Sequence, residues 1–95
     1  MGIYDAPMDD ALVKAILGSI GNQVRDARIG RGWFLEDLAM RVGVSTSVIC
    51  RLELARREAS VSQLLTTCAV FNRRLSGVLR IAEDEAFPLG GAPWA

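Results

Sequence analysis

Residues 35–53 contain two short amphipathic segments separated by a glycine. In the first segment, Leu35 to Val42, apolar residues recur at helical spacing. Gly43 interrupts this pattern as a helix stop, and Ser45 follows where its hydroxyl can accept a backbone N–H of a new helix. The sequence therefore predicts two helices joined by a tight turn, with the second helix capped by Ser45.

The rest of the chain also carries helical periodicity. Apolar residues at three- and four-residue steps predict a first helix that starts after Asp9 or Asp10 and ends at Gly30 and Gly32, with Gly18 and Gly21 as points where it could divide. No segment shows the alternation of apolar and polar residues that is typical of a strand. A chain of 95 residues buries one core, so we expect one all-α domain of five helices.

The last two predicted helices lie beyond residue 59. The fourth helix is expected to follow Ser60 or Ser62 and to stop at Asn72, and Ser76 is expected to cap the fifth. The fourth helix is predicted to bury Leu64, Leu65, Cys68 and Phe71, and the fifth helix carries the apolar residues Val78, Leu79 and Ile81.

The net charge is zero, but the charges are unevenly distributed. Residues 22–80 hold ten arginines and five acidic residues, so this middle part is basic. The balancing acids lie at the ends, at Asp5, Asp9, Asp10, Glu83, Asp84 and Glu85. A basic centre of this kind is compatible with a phosphate-bearing partner.

Several classes of protein are disfavoured by the composition. No apolar run reaches the roughly 18 residues of a membrane span, and the acidic start is unlike a secretory signal, so we expect a cytoplasmic protein with Cys50 and Cys68 as free thiols. Without histidine or a CxxC motif, a metal site lacks ligands. No catalytic constellation is apparent, and we expect neither a cofactor nor an enzyme.

The order of helix, Gly43, short turn and Ser45-capped helix is that of a helix-turn-helix, whose second helix enters the DNA major groove. Residues 20–82 further resemble the XRE (Cro/cI-type) family of repressors. The matching elements are RxxRG at 28–32, DLAxRVGVS at 37–45, IxRLE at 49–53, the arginine pair at 56–57 and SxxxL at 60–64. This resemblance implies a lambda-repressor-like fold, here with an N-terminal helical extension.

The resemblance also implies which residues face DNA. The base-contacting positions are Thr46, Ser47, Val48, Cys50 and Arg51. The phosphate-contacting positions are Arg28, Arg31, Arg41, Arg56 and Arg57. Arg51 is the main specificity residue expected, because its planar guanidinium can bond guanine O6 and N7 together. Glu53 is expected to have a structural role, and a surface pairing of Arg51 with an acid is the alternative to base contact.

The chain departs from the family pattern at several positions. Phe34 and Leu35 replace the Ser or Thr and the Gln that usually start the second helix, so a cap and a phosphate contact are missing. Leu54 and Ala55 replace the usual Asn-Gly, from which we expect the third helix to run beyond Glu53.

Two interpretations of the apolar N-terminal helix remain open: it completes the core, or it forms an interface. Its residues Leu12, Val13, Ile16 and Leu17 are dimer candidates, as is the tail, and Phe34 and Leu35, if exposed, are candidates for a protein partner. We expect an arm and helix extension at 1–19, a DNA-binding domain at 20–82 and a tail at 83–95.

Two functional hypotheses follow. The first is a sequence-specific transcriptional repressor that binds double-stranded DNA with two half-sites as a homodimer. The second is a protein-interaction module or antitoxin-like protein that keeps the fold but mainly binds a partner protein.

Overall fold

A computed structural model describes residues 10–56 and 59–87, and over these ranges it contains five α-helices and no strand. The helices are α1 (Asp10–Gly30), α2 (Leu35–Val42), α3 (Thr46–Glu53), α4 (Val61–Val70) and α5 (Leu75–Ala86). The prediction of an all-α fold with five helices is confirmed.

The turn between α2 and α3 forms as its residues predict. Gly43 adopts a left-handed conformation with φ of 86°, and its N–H donates to the Ala39 carbonyl at 2.8 Å. Ser45 is extended, and its Oγ accepts a hydrogen bond from the Val48 N–H at 3.3 Å. Glycine tolerates the positive φ that ends α2, and the serine hydroxyl satisfies an N–H that α3 leaves unpaired. Together they set the angle between the two helices.

The start of α2 keeps half of a capping box despite the loss of the usual Ser or Thr. The Phe34 ring has no acceptor, so nothing at that side chain caps the helix. In the reverse direction, however, the Phe34 backbone N–H donates to the Asp37 carboxylate at 2.8 Å. The acidic side chain also lies at the positive end of the helix dipole, which is favourable.

The third helix ends at Glu53, so the prediction that it runs further is wrong. Ala55 adopts a left-handed conformation with φ of 55°, and the Arg56 N–H donates back to the Arg51 carbonyl at 2.9 Å. A non-glycine residue in this conformation is strained by roughly 1–2 kcal/mol. Ala59, beyond this turn, packs against the core.

The boundaries of the last two helices confirm one prediction and correct another. Ser60 caps α4 through a reciprocal pair of bonds with Gln63, and Asn72 is left-handed with φ of 56° after α4 ends. The fifth helix, by contrast, begins at Leu75 with Arg74 as its N-cap, so Ser76 lies inside the helix and does not cap it. The earlier start allows Leu75 to pack on the core together with buried Val78.

The core lies where all five helices meet. Its buried apolar residues are Ile20, Val24, Ala27, Leu38, Ala39, Ile49, Leu52, Cys68, Phe71, Val78 and Ala82. Leu64 is partly buried against this cluster, but Leu65 is about half exposed, so its prediction as a core residue is wrong. The side of α4 that carries Leu64 and Cys68 faces inward, and Leu65 lies one residue off that side.

The first helix is continuous through Gly18 and Gly21, so neither glycine divides it. Gly21 is instead required by packing. A Cβ atom built on Gly21 would lie 2.5 Å from the Glu53 carbonyl oxygen and 2.7 Å from that of Leu52. The last turn of α3 therefore rests directly on the backbone of α1. The expected boundary between residues 19 and 20 falls within this continuous helix.

We expect Gly21→Ala to destabilise the protein by about 1–3 kcal/mol, because backbone atoms of α3 would have to move to admit the methyl group. Gly18→Ala is the matched control: a Cβ there meets nothing within 4 Å. This control should stabilise α1 by roughly 0.5–1 kcal/mol through helix propensity. Urea titrations of both variants measure the difference, and equal stabilities would contradict the close contact.

Candidate nucleic-acid interface

One side of α3 is anchored in the protein and the other faces solvent. Ile49, Leu52 and Glu53 are buried, with Ile49 fully so. Ser47 and Arg51, four residues apart and therefore on one side of the helix, are exposed. The helix thus presents a polar edge that begins at its N-terminal turn.

The exposed residues of α3 are linked by hydrogen bonds within the helix. The Arg51 Nε donates to the Ser47 carbonyl, and its Nη2 donates to the Ser47 Oγ, each at 3.3 Å. The Ser45 and Ser47 hydroxyls are 3.1 Å apart. The guanidinium therefore lies back over the first turn of α3, the end that enters a major groove in helix-turn-helix proteins. Its partner is the serine rather than Glu53 or Asp37.

The other three residues predicted to contact bases are less accessible. Thr46, Val48 and Cys50 are all partly buried, on the flanks of the exposed edge. The structure thus brings Ser47 and Arg51 together at the centre of the candidate surface, with these three at its borders.

A buried ion pair fixes α3 to α1. The Arg28 Nε and Nη2 donate to the two carboxylate oxygens of Glu53 at 2.7 and 3.0 Å, and its Nη1 donates to the Trp33 carbonyl at 2.9 Å. The side chains are 12% and 4% exposed. The bond to Glu53 raises the pKa of Arg28 above its usual value, so the guanidinium stays charged at every physiological pH. This geometry is the strong, bidentate form of a charge-assisted hydrogen bond.

This pair corrects the role expected for Arg28. Because its guanidinium points inward and bonds both Glu53 and the Trp33 carbonyl, Arg28 has a structural function in this conformation rather than the phosphate contact that the resemblance implied. The structural role expected for Glu53 agrees with the geometry. The sequence carried a signal for the burial of Glu53. Glu53 follows Ile49 by four residues and Leu52 by one, which places it on the buried side of α3.

A group of two aromatic rings and two arginines lies where the α1–α2 loop meets α2 and α4. The rings of Trp33 and Phe71 stack with centroids 5.6 Å apart. The Arg41 guanidinium lies 4.1 Å from the Trp33 centroid, and that of Arg31 lies 4.8 Å from the Phe71 centroid. Cation–π contacts at exposed sites contribute about 0.5–1 kcal/mol each. They hold both exposed arginines against the protein surface, and the sequence alone did not indicate this arrangement.

The remaining phosphate candidates lie after α3. Arg56 is exposed at the left-handed turn that ends the helix. Arg57 lies outside the residues that the structure describes.

Two exposed apolar side chains lie at positions that depart from the pattern of the family that the sequence resembles. Phe34 is 72% exposed and Leu54 52% exposed. Leu35, in contrast, is partly buried against the core, so it is not the exposed partner contact that was considered. A groove of about 230 Å³ lies here, lined by Arg25, Arg28, Leu35, Cys50, Glu53 and Leu54.

The N-terminal dimer candidates Leu12, Val13, Ile16 and Leu17 are all partly buried, and Ile16 packs against the core cluster. Completion of the core is thus part of this segment's role. Cys68 is buried, and burial raises the pKa of its thiol, which agrees with a core-filling residue.

Across residues 10–56 and 59–87, no cluster of three metal-ligating side chains occurs. None of the five helices has the length and apolarity to cross a bilayer.

A solved structure shares this arrangement of helices: the clp gene regulator ClgR from Corynebacterium glutamicum, with a TM-score of 0.67 and 27% sequence identity over 75% of this chain and 76% of that chain. The chain has the fold of a helix-turn-helix gene regulator. No protein-family model matches the sequence. No curated protein matches it either.

We expect Glu53→Ala to destabilise the domain by about 3–5 kcal/mol, because it leaves the Arg28 guanidinium buried without its partner. Glu53→Gln should have a smaller effect, since the amide still offers one oxygen. Asp26→Asn, which neutralises an exposed acid on α1, is the control and should change stability by less than about 0.5 kcal/mol. Denaturant titration measures all three, and a Glu53→Ala effect as small as the control's would refute the anchoring role.

Proposed function

We propose that the protein is a sequence-specific DNA-binding transcriptional regulator of the XRE (Cro/cI) type. In this proposal α3 lies in the major groove, and a homodimer occupies the two half-sites of an operator. Binding represses transcription by blocking the promoter. The fold shared with a gene regulator supports this proposal, as does the sequence resemblance over residues 20–82.

The observation that carries the proposal is the exposed pair Ser47 and Arg51 on a helix whose opposite side is locked to the core. Base readout requires side chains held within a narrow range of positions, so the reading helix must be rigid. Here Ile49, Leu52 and the buried Glu53 supply that rigidity. An arginine can then bond O6 and N7 of guanine, and a serine hydroxyl can donate to or accept from a base edge.

Phosphate contacts would come from the exposed arginines around α3. Arg31 and Arg41 are exposed and rest on Phe71 and Trp33, and Arg56 lies at the end of α3. A phosphate contact by Arg57 remains a proposal that rests on the sequence alone. Since Arg28 is engaged internally, the backbone contacts would be fewer than the resemblance implies, which lowers the expected salt dependence of binding.

The test compares two arginine variants on operator and unrelated DNA. We expect Arg51→Ala to lose about 1–3 kcal/mol of binding on the preferred sequence and little on unrelated DNA. Arg56→Ala should instead weaken binding on all sequences alike and reduce the salt slope by about 1. Selection of bound genomic fragments followed by gel-shift titrations at several salt concentrations provides the measurement.

Two results would contradict these expectations. Equal losses for Arg51→Ala on every sequence would assign Arg51 to the phosphate backbone. Absence of salt-sensitive binding by the wild-type protein to any genomic fragment would remove the proposed function itself.

A second candidate function is a protein-interaction or antitoxin-like role, and the exposed apolar residues beside α3 favour it. Phe34 and Leu54 are exposed and lie at two of the positions where the family has polar residues. A largely exposed phenylalanine beside a reading helix contributes nothing to phosphate binding, but it suits an apolar pocket of a partner protein.

Phe34→Ser separates the two functions. The serine can cap α2, so the variant should be as stable as the wild type or more stable, by about 0.5–1 kcal/mol. If the protein mainly binds a partner, Phe34→Ser should abolish recovery of one defined protein from native cells, whereas Met40→Ser, at a similarly exposed position on α2, should retain it. If DNA is the main ligand, both variants bind it normally and no partner is lost.

A further inference from the structure

The two exposed residues of α3 are joined through one edge of a guanidinium. Within α3, all of which the structure describes, only Ser47 and Arg51 are exposed. The Arg51 Nε donates to the carbonyl oxygen of Ser47, and the Arg51 Nη2 donates to the Ser47 Oγ, each at 3.3 Å. A single residue therefore accepts both hydrogen bonds from the edge of the guanidinium that Nε and Nη2 form.

The planar shape of the guanidinium decides what remains for a ligand. Its N–H groups form a rigid fork. With the Nε–Nη2 edge on Ser47, the edge formed by Nη1 and Nη2 keeps two parallel N–H groups, one on each nitrogen. Two parallel donors match the O6 and N7 acceptors of guanine in the major groove. Adenine presents one acceptor and one donor there, so it cannot accept both bonds.

Arg28 uses the same edge of its guanidinium in the interior of the protein. Its Nε and Nη2 donate to the two carboxylate oxygens of Glu53, which leaves Nη1 to bond a different group, the Trp33 carbonyl. In Arg51 a serine takes the place of the carboxylate, so the residue that holds the guanidinium is neutral. A neutral acceptor leaves the positive charge of Arg51 to the ligand, and it does not repel DNA phosphates as an acidic side chain would.

Ser45 fixes the position of the Ser47 hydroxyl. The two hydroxyl oxygens lie 3.1 Å apart, and the Ser45 Oγ also accepts a hydrogen bond from the Val48 N–H as the cap of α3. The network therefore runs from the backbone at the start of α3 to the guanidinium. An arginine side chain has many rotamers, and ordering them on binding costs free energy. A side chain that is already held in one arrangement avoids part of that cost.

We infer that Ser47 is a positioning residue for Arg51, and that the two together form one reader of a guanine in the major groove. Ser47 holds the Nε–Nη2 edge, and Arg51 bonds O6 and N7 with its Nη1–Nη2 edge. The serine contributes to base preference through the arginine, in place of the direct base contact that its exposure also permits. This inference rests on the proposed function, because it names the base that α3 reads.

Base analogues identify the guanine on a DNA fragment that the wild type selects from the genome. Replacing guanines one at a time by 7-deazaguanine removes the N7 acceptor without changing the base pairing. At one guanine of a half-site, this change should weaken wild-type binding about tenfold and should leave binding by Arg51→Ala unchanged. Inosine at the same position is the matched control, because it keeps O6 and N7 and should have little effect on either protein.

Two variants of nearly equal shape at residue 47 test the positioning role. Ser47→Thr keeps the hydroxyl, whereas Ser47→Val replaces it by a methyl group, and both new side chains are β-branched. In gel-shift titrations, Ser47→Val should reduce the preference for guanine over 7-deazaguanine about threefold, as expected for the loss of one hydrogen bond. Ser47→Thr should keep the wild-type preference.

A double-mutant cycle separates positioning from direct contact. If Ser47 acts through Arg51, Ser47→Val changes neither affinity nor base preference once Arg51→Ala has removed the guanidinium. An effect of Ser47→Val that is just as large in the Arg51→Ala background means that the serine contacts DNA by itself, and it overturns the inference. Equal base preference in the wild type and both variants at residue 47 overturns it as well.

The order of the Arg51 side chain is a readout that needs no DNA. Heteronuclear relaxation of the arginine side chains, at mildly acidic pH, should show an ordered Arg51 Nε–H in the wild type and in Ser47→Thr. The Arg28 Nε, which donates to Glu53, is the reference for an ordered group. Ser47→Val should increase the motion of the Arg51 Nε–H while circular dichroism shows an unchanged fold. Equal motion in the wild type and Ser47→Val overturns the inference.

These results also distinguish the inference from the proposed function. If the protein reads DNA but Ser47 does not position Arg51, Arg51→Ala weakens binding to the selected fragment and the two variants at residue 47 behave alike. If the protein does not bind DNA, no genomic fragment is selected. The guanine assignment then falls with the proposed function, whereas the contact between Ser47 and Arg51 is decided by the relaxation measurement alone.

Discussion

The junction between α1 and α3 is the constraint on which the rest of this structure depends. At one point the two backbones touch, because Gly21 has no side chain and the last carbonyls of α3 occupy the space that a Cβ would need. About two turns further along α1, Arg28 bonds both carboxylate oxygens of Glu53. A close steric contact and a directional ion pair therefore fix the position of α3 and its rotation about its own axis.

This anchoring decides what α3 can present. With Glu53, Leu52 and Ile49 committed to the interior, the residues four apart on the opposite side, Ser47 and Arg51, must face outward. A buried pair contributes little net stability compared with apolar packing, but it is demanding in geometry. An ion pair with such strict geometry suits a helix whose side chains must be held in fixed positions to contact base edges.

The surface around α3 combines two chemistries. Arginines on Trp33 and Phe71 keep positive charge close to the protein, while Phe34 and Leu54 expose apolar groups where polar ones are usual in the family. Positive charge and exposed apolar groups thus occur together on the part of the surface that the proposed function assigns to binding.

The local signals in the sequence determined most of the helix boundaries, because capping and turn chemistry act over a few residues. Gly43, Ser45, Ser60 and Asn72 ended or began helices as their backbone preferences predict. The exposure of Ser47 and Arg51 agrees with the outward-facing positions that the family resemblance implied. Where packing competed with local preference, the sequence was insufficient: Ala55 took a left-handed turn, Arg74 rather than Ser76 began α5, and Leu65 faced outward.

Only the tertiary structure decided the roles of residues whose partners lie far away in the chain. Arg28 could be assigned to the interior only once Glu53, 25 residues later, was seen beside it. In the same way, Gly21 could be distinguished from Gly18 only by the carbonyls of α3 that approach it. Periodicity reports which side of a helix is apolar, but it does not report which backbone or charge that side will meet.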